Sequence, residues 1–298
     1  VRSKTGTGKT TAFALPILER IEDGDRHTRA LVLAPTRELA IQVAEETRRL
    51  GAHRDVSVIA VYGGVALGPQ TDAFEAGVEV VVGTPGRLLD HLRRGNLDLS
   101  HCKMVGLDEA DEMLSMGFLE EVCNILDQVP PRPQMLLFSA TVESDLCDLV
   151  TRYASEPEDL FLSTDTRTVE GVDDIIYETV SDYPKPRQLM TILDMENPET
   201  GIIFCNTRDD VAMLGNYLSR QGIDAEYISS DLTQGARERV MGRIKRGEVR
   251  FLVATDIASR GIDISDLTHV INYALPEDPA SYLHRVGRTA RIGKEGTA

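Results

Sequence analysis

The sequence predicts an α/β architecture of two tandem domains, each a mostly parallel sheet with helices on both faces. Three observations lead there. Short β-branched runs alternate with amphipathic stretches. The second half of the chain repeats the first at a constant offset. A polar, aperiodic stretch separates the halves. At 298 residues, 42% of them hydrophobic, the chain is long enough for one large domain or two of ordinary size, each burying a core.

Taken in order, "TTAFALPILERI" reads as a helix directly after a Gly/Thr-rich stretch at residues 3–10. "RALVLAPT", "VEVVVGTP", "CKMVGLDE" and "PQMLLFSAT" read as strands. Between the first two lies "RELAIQVAEETRRLG", helical, with apolar Leu39, Val43 and Leu50. Setting Ala30–Ala40 over Gly201–Val211 places Thr36 on Thr207 and Arg37 on Arg208, an offset of 171. The same offset places Gly51 on Gly222 and Thr84 on Thr255, so some 55 residues align without a gap. The expected division is residues 1–163, a linker at 164–174 and a second domain at 175–298. Open α/β sheets bind ligands beyond the carboxyl ends of their strands. Thr36, Thr84, Thr207 and Thr255 stand at such ends, so their hydroxyls could line one track.

"SKTGTGKT", residues 3–10, approximates a phosphate-binding loop, with Ser3 where the template has glycine. Gly6 and Gly8 allow a tight turn of backbone N–H groups. Lys9 would reach the β- and γ-phosphates, Thr10 would hold Mg²⁺, and the following helix adds its dipole. The plainer reading is a flexible terminus. In "MVGLDEAD" an apolar strand runs into Asp108, a candidate Mg²⁺ ligand, and Glu109, a candidate for polarising water. The plainer reading there is an acidic helix start. Arg285, Arg288 and Arg291 recur every third residue, which predicts one side of a helical turn. They read either as an arginine finger offered to phosphates or as a surface patch paired with carboxylates.

The net charge of −16 argues against a wholly basic nucleic-acid face and leaves room for a local one. Only six of the 32 basic residues are lysine, and arginine is the better bidentate phosphate ligand. Cys102, Cys123, Cys147 and Cys205 form no C-x-x-C pair, so neither a disulfide framework nor a zinc site is expected and a reducing, cytoplasmic setting is. No apolar run approaches the roughly 20 residues of a membrane helix, so no membrane partner is expected.

At Asp108-Glu109-Ala110-Asp111 the sequence resembles the DEAD-box ATP-dependent RNA helicases, in their bacterial or archaeal form. Nine further segments match in order: "SKTGTGKT", "PTRELA" at 35–40, "GG" at 63–64, "TPGR" at 84–87, "SAT" at 139–141, "IIFCNT" at 202–207, "QGAR" at 234–237, "TDIASRGID" at 255–263 and "HRVGRTAR" at 284–291. The resemblance covers essentially the whole chain. It implies two RecA-like domains that close on ATP and RNA, coupling RNA-stimulated hydrolysis to local unwinding of short duplexes. Thr5, Gly6, Thr7, Gly8, Lys9 and Thr10 would hold the triphosphate and, with Asp108, Mg²⁺. Glu109 would be the catalytic base or water positioner. Arg288 and Arg291 would reach the γ-phosphate, and Asp263 the ribose. Ser139, Thr141, Asp111 and His284 would couple the nucleotide site to RNA. The RNA track would use Pro35, Thr36, Arg37, Gly64, Thr84, Gly86 and Arg87 in the first domain. In the second it would use Thr207, Arg208, Gln234, Arg237 and Thr255. Such contacts reach phosphate and sugar, with little sequence specificity. Ribonucleoprotein or ribosome-assembly partners fit the same motifs, as does an ATP-gated RNA clamp with little unwinding. A P-loop ATPase acting on protein partners is disfavoured by the paired threonines. The family carries an adenine-recognising glutamine motif before the loop and a further strand and helix after "KEGTA". The chain is therefore expected to be a piece of a longer protein, with an unpaired sheet edge where a strand is cut.

Overall fold

The computed structural model describes residues 1, 8–139, 141, 144–160, 171–229, 231–259, 267–276, 279–290 and 295–298. The chain divides into two compact units, Val1–Thr164 and Asp165–Ala298. The expected linker falls largely on 161–170, outside the described residues. Its far end is not linker: Val172 and Asp173 form a strand of the second sheet.

The first unit runs α1 (Lys9–Arg20), β1 (Ala30–Leu33), α2 (Arg37–Leu50), β2 (Val58–Val61), α3 (Gly68–Ala76), β3 (Val80–Gly83), α4 (Pro85–Arg93), β4 (Met104–Leu107), α5 (Ala110–Ser115), α6 (Leu119–Leu126), β5 (Gln134–Leu137) and α7 (Ser144–Tyr153). Its strands are all parallel, in the order β2-β3-β1-β4-β5. Alternation along each strand builds two cores. Ala30, Val32, Val80 and Val82 meet Phe13 and Ile17 of α1 and Val43 of α2. Leu31, Leu33, Val81 and Val105 meet Leu88, Met113, Val122 and Ile125 on the opposite face. A strand covered on both faces has no polar side to show, which is why these runs read as continuously apolar. Val1 lies along the outer side of β5. Its ammonium donates to the Leu137 carbonyl (2.6 Å) and its carbonyl accepts from the Ser139 N–H (3.2 Å).

The second unit runs β6 (Val172–Asp173), α8 (Lys185–Glu196), β7 (Gly201–Phe204), α9 (Arg208–Arg220), β8 (Ala225–Ile228), α10 (Gln234–Lys245), β9 (Phe251–Ala254), α11 (Asp256–Ser259), β10 (His269–Asn272), α12 (Pro279–Val286) and β11 (Gly296–Thr297). The order β8-β9-β7-β10-β11-β6, again all parallel, repeats that of the first sheet and adds β6. Ala30 pairs with Val80 in one unit and Gly201 with Phe251 in the other, both displaced by 171. The repeat is not gapless, however. β2 starts at 58 and β8 at 225, only 167 apart. A shorter α9–β8 connection removes residues, and the longer α10, 12 residues against 9 in α3, restores the register by β9. Such changes sit in surface connections and leave the pairing untouched.

Arg285 and Arg288 do not share a helix face. Helix α12 ends at Val286, ahead of Gly287, and Arg288 lies in the following turn, its N–H donating to the Arg285 carbonyl (3.1 Å). Arg291 lies outside the described residues. Arg285, 1% exposed, is a structural hub. Its guanidinium donates to both Asp256 carboxylate oxygens (2.6 Å each), to Asn206 Oδ1 (3.0 Å), to Asn272 Oδ1 (3.1 Å) and to the Ala274 carbonyl (2.6 Å). It also lies over the Phe204 ring. It thereby ties the ends of β7, β9 and β10 to α12. All four cysteines are free.

Replacing Arg285 by methionine keeps the buried volume and orphans four acceptor groups. The expected loss is about 3 kcal/mol from the second unit, read as a lower denaturant midpoint for that unit alone.

Candidate nucleotide and nucleic-acid faces of the first unit

Because every strand of a parallel sheet runs the same way, all the strand-to-helix turns of the first unit gather at one edge. The candidate residues sit there in two groups.

The first group lies past β4 and β5. Gly8, left-handed at φ 82°, caps α1, so Lys9 and Thr10 open its first turn, half-buried. A helix N-terminus beginning on lysine suits an anion. Thr5, Gly6 and Thr7 lie outside the described residues. Asp108, 3% exposed, ends β4. Burial pushes its carboxyl up to about 6, and the nearby Lys9 ammonium pulls the other way. The Asp108 Oδ1 accepts the Glu109 N–H (3.1 Å). Glu109 is held left-handed at φ 50°, ψ 52°, a conformation that costs a non-glycine residue about 1 kcal/mol. The Ala110 N–H donating to the Phe138 carbonyl (3.0 Å) helps hold it there.

Asp111, buried at the start of α5, joins β4 to β5. Its Oδ2 accepts both the N–H (2.8 Å) and the hydroxyl (3.0 Å) of Thr141. The Ser139 hydroxyl donates to the Thr141 carbonyl. The expected contact between the Ser-Ala-Thr segment and the Asp111 region is therefore present, made by Thr141 and braced by Ser139.

The second group lies past β1, β2 and β3. Thr36 is buried and caps α2, its Oγ1 accepting the Leu39 N–H (3.3 Å). Its hydroxyl fixes the helix start and leaves Arg37 to reach outward, just after Pro35. The Arg37 guanidinium lies directly over Gly64. A Cβ built there would stand 2.2 Å from Nη1 and 2.7 Å from Cζ, and Gly64 is also left-handed at φ 82°. The backbone conformation favours glycine, and a larger residue would also push the Arg37 tip aside. Thr84 precedes α4 without capping it. Gly86, in the first turn of α4, has an ordinary φ and open space around it, so no internal contact explains a glycine there. Arg87 reaches back to the same loop, its Nη2 donating to the Val65 carbonyl (3.0 Å). Two separate segments thus converge on residues 62–65.

In the second unit the corresponding edge is built alike. Thr207, Thr233 and Thr255 cap α9, α10 and α11, accepting the N–H groups of Asp210 (3.1 Å), Ala236 (3.3 Å) and Ala258 (3.3 Å). Arg208 pairs with Asp231 (2.8 Å), both exposed. The Arg237 Nη2 donates to the Ala258 carbonyl (3.0 Å), tying α10 to α11. Gln234 opens α10. His284 lies half-buried on α12. Asp263 lies outside the described residues. Sequence reading missed Thr233, the third capping threonine, although Thr-x-x-Ala before an amphipathic run is a legible cap.

Two parallel sheets of one strand order, one of them setting a helix-opening lysine near a buried Asp108 and a half-buried Glu109, define a two-unit RecA-like α/β protein. Residues 1–149 match DEAD/DEAH box helicase, and residues 184–293 match helicase conserved C-terminal domain. The chain belongs to the DEAD/DEAH box helicase family. It is 45% identical over 297 residues to the DEAD-box ATP-dependent RNA helicase CshA of Geobacillus kaustophilus, covering 100% of this chain and 63% of that relative. It is 43% identical to the protein of the same name from Bacillus subtilis, covering 60% of it. The chain thus spans about three fifths of the length of these curated relatives. The fold superposes on S. cerevisiae Dbp5 bound to RNA and ADP BeF3 with a TM-score of 0.88 at 31% identity, covering 100% of this chain and 77% of that one. Among the described residues no helix is long and apolar enough to cross a membrane.

Two outcomes follow from this geometry. Gly64→Ala should cost about 1 kcal/mol through its left-handed backbone and displace Arg37, read as a lower melting temperature together with weaker binding of polyanions. Asp108 holds its proton to higher pH folded than unfolded. Its burial costs nothing below the unfolded value of 3.8 and its full amount above about 6. Asp108→Asn should therefore stabilise the magnesium-free protein at pH 7 by on the order of 3 kcal/mol and leave it unchanged near pH 3. Melting temperatures of both proteins across that range check the sign.

Proposed function

We propose that this chain carries the core of an ATP-dependent RNA helicase, in which ATP hydrolysis is stimulated by RNA and coupled to local separation of short duplexes. The observation that carries the reading is the pair of Thr141 hydrogen bonds to Asp111. They join the Lys9–Asp108–Glu109 group to the next strand of a sheet whose other strand ends present Arg37, Gly64 and Arg87. One rigid sheet edge then serves two ligands, and a shift at one is felt at the other.

Thr10 and Asp108 are the residues that would hold a magnesium ion. Their chemistry fits: a hydroxyl and a carboxylate are hard oxygen donors. Magnesium in nucleotide sites takes one or two carboxylates, the rest of its shell coming from phosphates and water. A buried carboxylate held near 6 gains from a neighbouring cation. Bound there, the ion supplies charge neutralisation on the phosphates. Lys9 and the first turn of α1 orient the triphosphate. Glu109, fixed by its left-handed backbone, takes or orients the proton of the attacking water. Arg288, and Arg291 beyond the described residues, supply positive charge to the transition state. Pro35, Thr36, Arg37, Gly64, Thr84, Gly86 and Arg87, with Thr207, Arg208, Gln234, Arg237 and Thr255, contact RNA phosphates and sugars. These contacts leave sequence largely unread.

ATP turnover and duplex separation assayed together on the complete protein test the reading. RNA should raise the ATPase rate, and Glu109→Gln should bind both ligands while turning over at least a hundredfold more slowly, the usual scale for losing a positioned acid–base group. A rate indifferent to saturating RNA removes the RNA reading.

A further inference from the structure

Behind the second group of residues lies a buried polar network that no sequence pattern announced. Gln70 on α3 is almost wholly buried, and His91 on α4 fully so. The Gln70 Nε2 donates to the Tyr62 carbonyl (3.2 Å). That carbonyl can only accept, so the Gln70 Oε1 faces the other way and accepts twice, from Arg87 Nη1 (3.3 Å) and from His91 Nε2 (2.9 Å). The tautomer follows. His91 carries its proton on Nε2, and its Nδ1 accepts from the Asn96 amide (3.3 Å), which also donates to Thr71 Oγ1 (3.2 Å). The Phe74 ring packs edge-on against the imidazole, centroids 5.0 Å apart. Every polar atom of the Gln70 and His91 side chains is used.

We propose that Gln70, with His91 behind it, is a positioning residue for the RNA face, holding the Arg87 guanidinium and the Tyr62–Val65 turn in the one geometry that meets a sugar–phosphate backbone. The inference rests on the reading of Arg37, Gly64 and Arg87 as that face. Gln70 itself touches no ligand. It fixes Arg87 at one end of the guanidinium while Val65 fixes the other, and it anchors the turn on which Arg37 lies. An arginine held in this way loses less conformational freedom when it binds. Among the described residues none of these hydrogen bonds reaches the Lys9–Asp108 group, so the direct effect falls on RNA, and ATP binding in the absence of RNA is left alone.

The network also gives RNA binding an acid limit. Protonated His91 would present an N–H from Nδ1 to the Asn96 amide, donor against donor. Burial first, and the Arg87 guanidinium next, hold the ring's proton affinity below the usual histidine range, with Arg94 acting the same way and Asp90 opposing. The groups packed on it from α3, Gln70, Thr71 and Phe74, carry no charge. RNA affinity should therefore be flat from pH 8 to pH 7 and fall only below the ordinary histidine value of 6.5.

The test measures the dissociation constant of a fluorescent single-stranded RNA by anisotropy without nucleotide and the half-saturating ATP concentration for binding without RNA, on the full chain with wild type alongside. Gln70→Met keeps the volume and removes both acceptors and donor. It should weaken RNA binding roughly tenfold, the scale of a lost hydrogen bond to a charged group, with ATP half-saturation within about twofold of wild type. Gln70→Glu restores the acceptor for Arg87 but not the donor to the Tyr62 carbonyl, and should recover the affinity only in part. His91→Phe keeps an aromatic ring against Phe74, its folding checked by melting temperature, and should remove the fall in RNA affinity on acidification. RNA affinity unchanged in Gln70→Met overturns the proposal. So does equal loss of RNA and ATP binding, which marks a merely structural role, or an acid limb that survives in His91→Phe. A wild-type protein that binds no RNA instead overturns the helicase reading itself, and this inference with it.

Discussion

Parallel strand pairing is the constraint on which this molecule depends. Strands that all run one way must return by crossovers, and each crossover ends a strand and opens a helix at the same edge. In the first unit that edge collects Lys9, Asp108, Thr141, Arg37, Gly64 and Arg87, residues separated by up to 132 positions in the chain. The second sheet, with the same strand order, collects Thr207, Arg208, Arg237 and Thr255. No long loop has to be ordered to bring these groups together. The sheet does so as soon as its two apolar cores close.

The edge also accounts for the charge. A net charge of −16 looks wrong for a protein proposed to grip RNA. Locally the balance differs. Helix N-termini capped by threonine leave several N–H groups of the first turn pointing outward, and Arg37 and Arg87 in the first unit, and Arg237 in the second, are steered toward the strand-end edge of their own sheet by hydrogen bonds to fixed carbonyls or by packing on glycine. A few oriented donors at short range outweigh acidic side chains spread over the remaining surface, whose field is screened within about 8 Å at physiological salt.

Much of the fold was legible, for a physical reason. A strand buried on both faces must be apolar at every position, so "ALVL", "VVVG" and "MVGL" announce themselves. The 171-residue register between Ala30 and Gly201 survives into the pairing itself. What the sequence hid depends on where elements stop. Spacing by threes grouped Arg285 with Arg288, but α12 ends between them, and one is a buried hub while the other sits in a turn. The gap between β2 and β8 was hidden because two length changes cancel before β9. Gln70 and His91 were invisible for a different reason. Their meaning arises only when α3 and α4 pack side by side and face a carbonyl of the preceding loop, and no local pattern encodes that meeting. Within the candidate nucleotide site, the Asp111–Thr141 contact was legible through family resemblance, whereas the burial that lifts Asp108 to about 6 required the folded core.

Glu109 holds a shape that glycine, asparagine or aspartate would adopt with less strain. Any laboratory selection for heat tolerance alone would therefore press on this position, and the replacements it favoured would shorten or erase the carboxylate arm. Keeping glutamate there means that durability is given up locally so that one oxygen pair points in a fixed direction. If Glu109 acts on water as proposed, a lineage relieved of nucleotide hydrolysis should drift at residue 109 before it drifts at the core beneath.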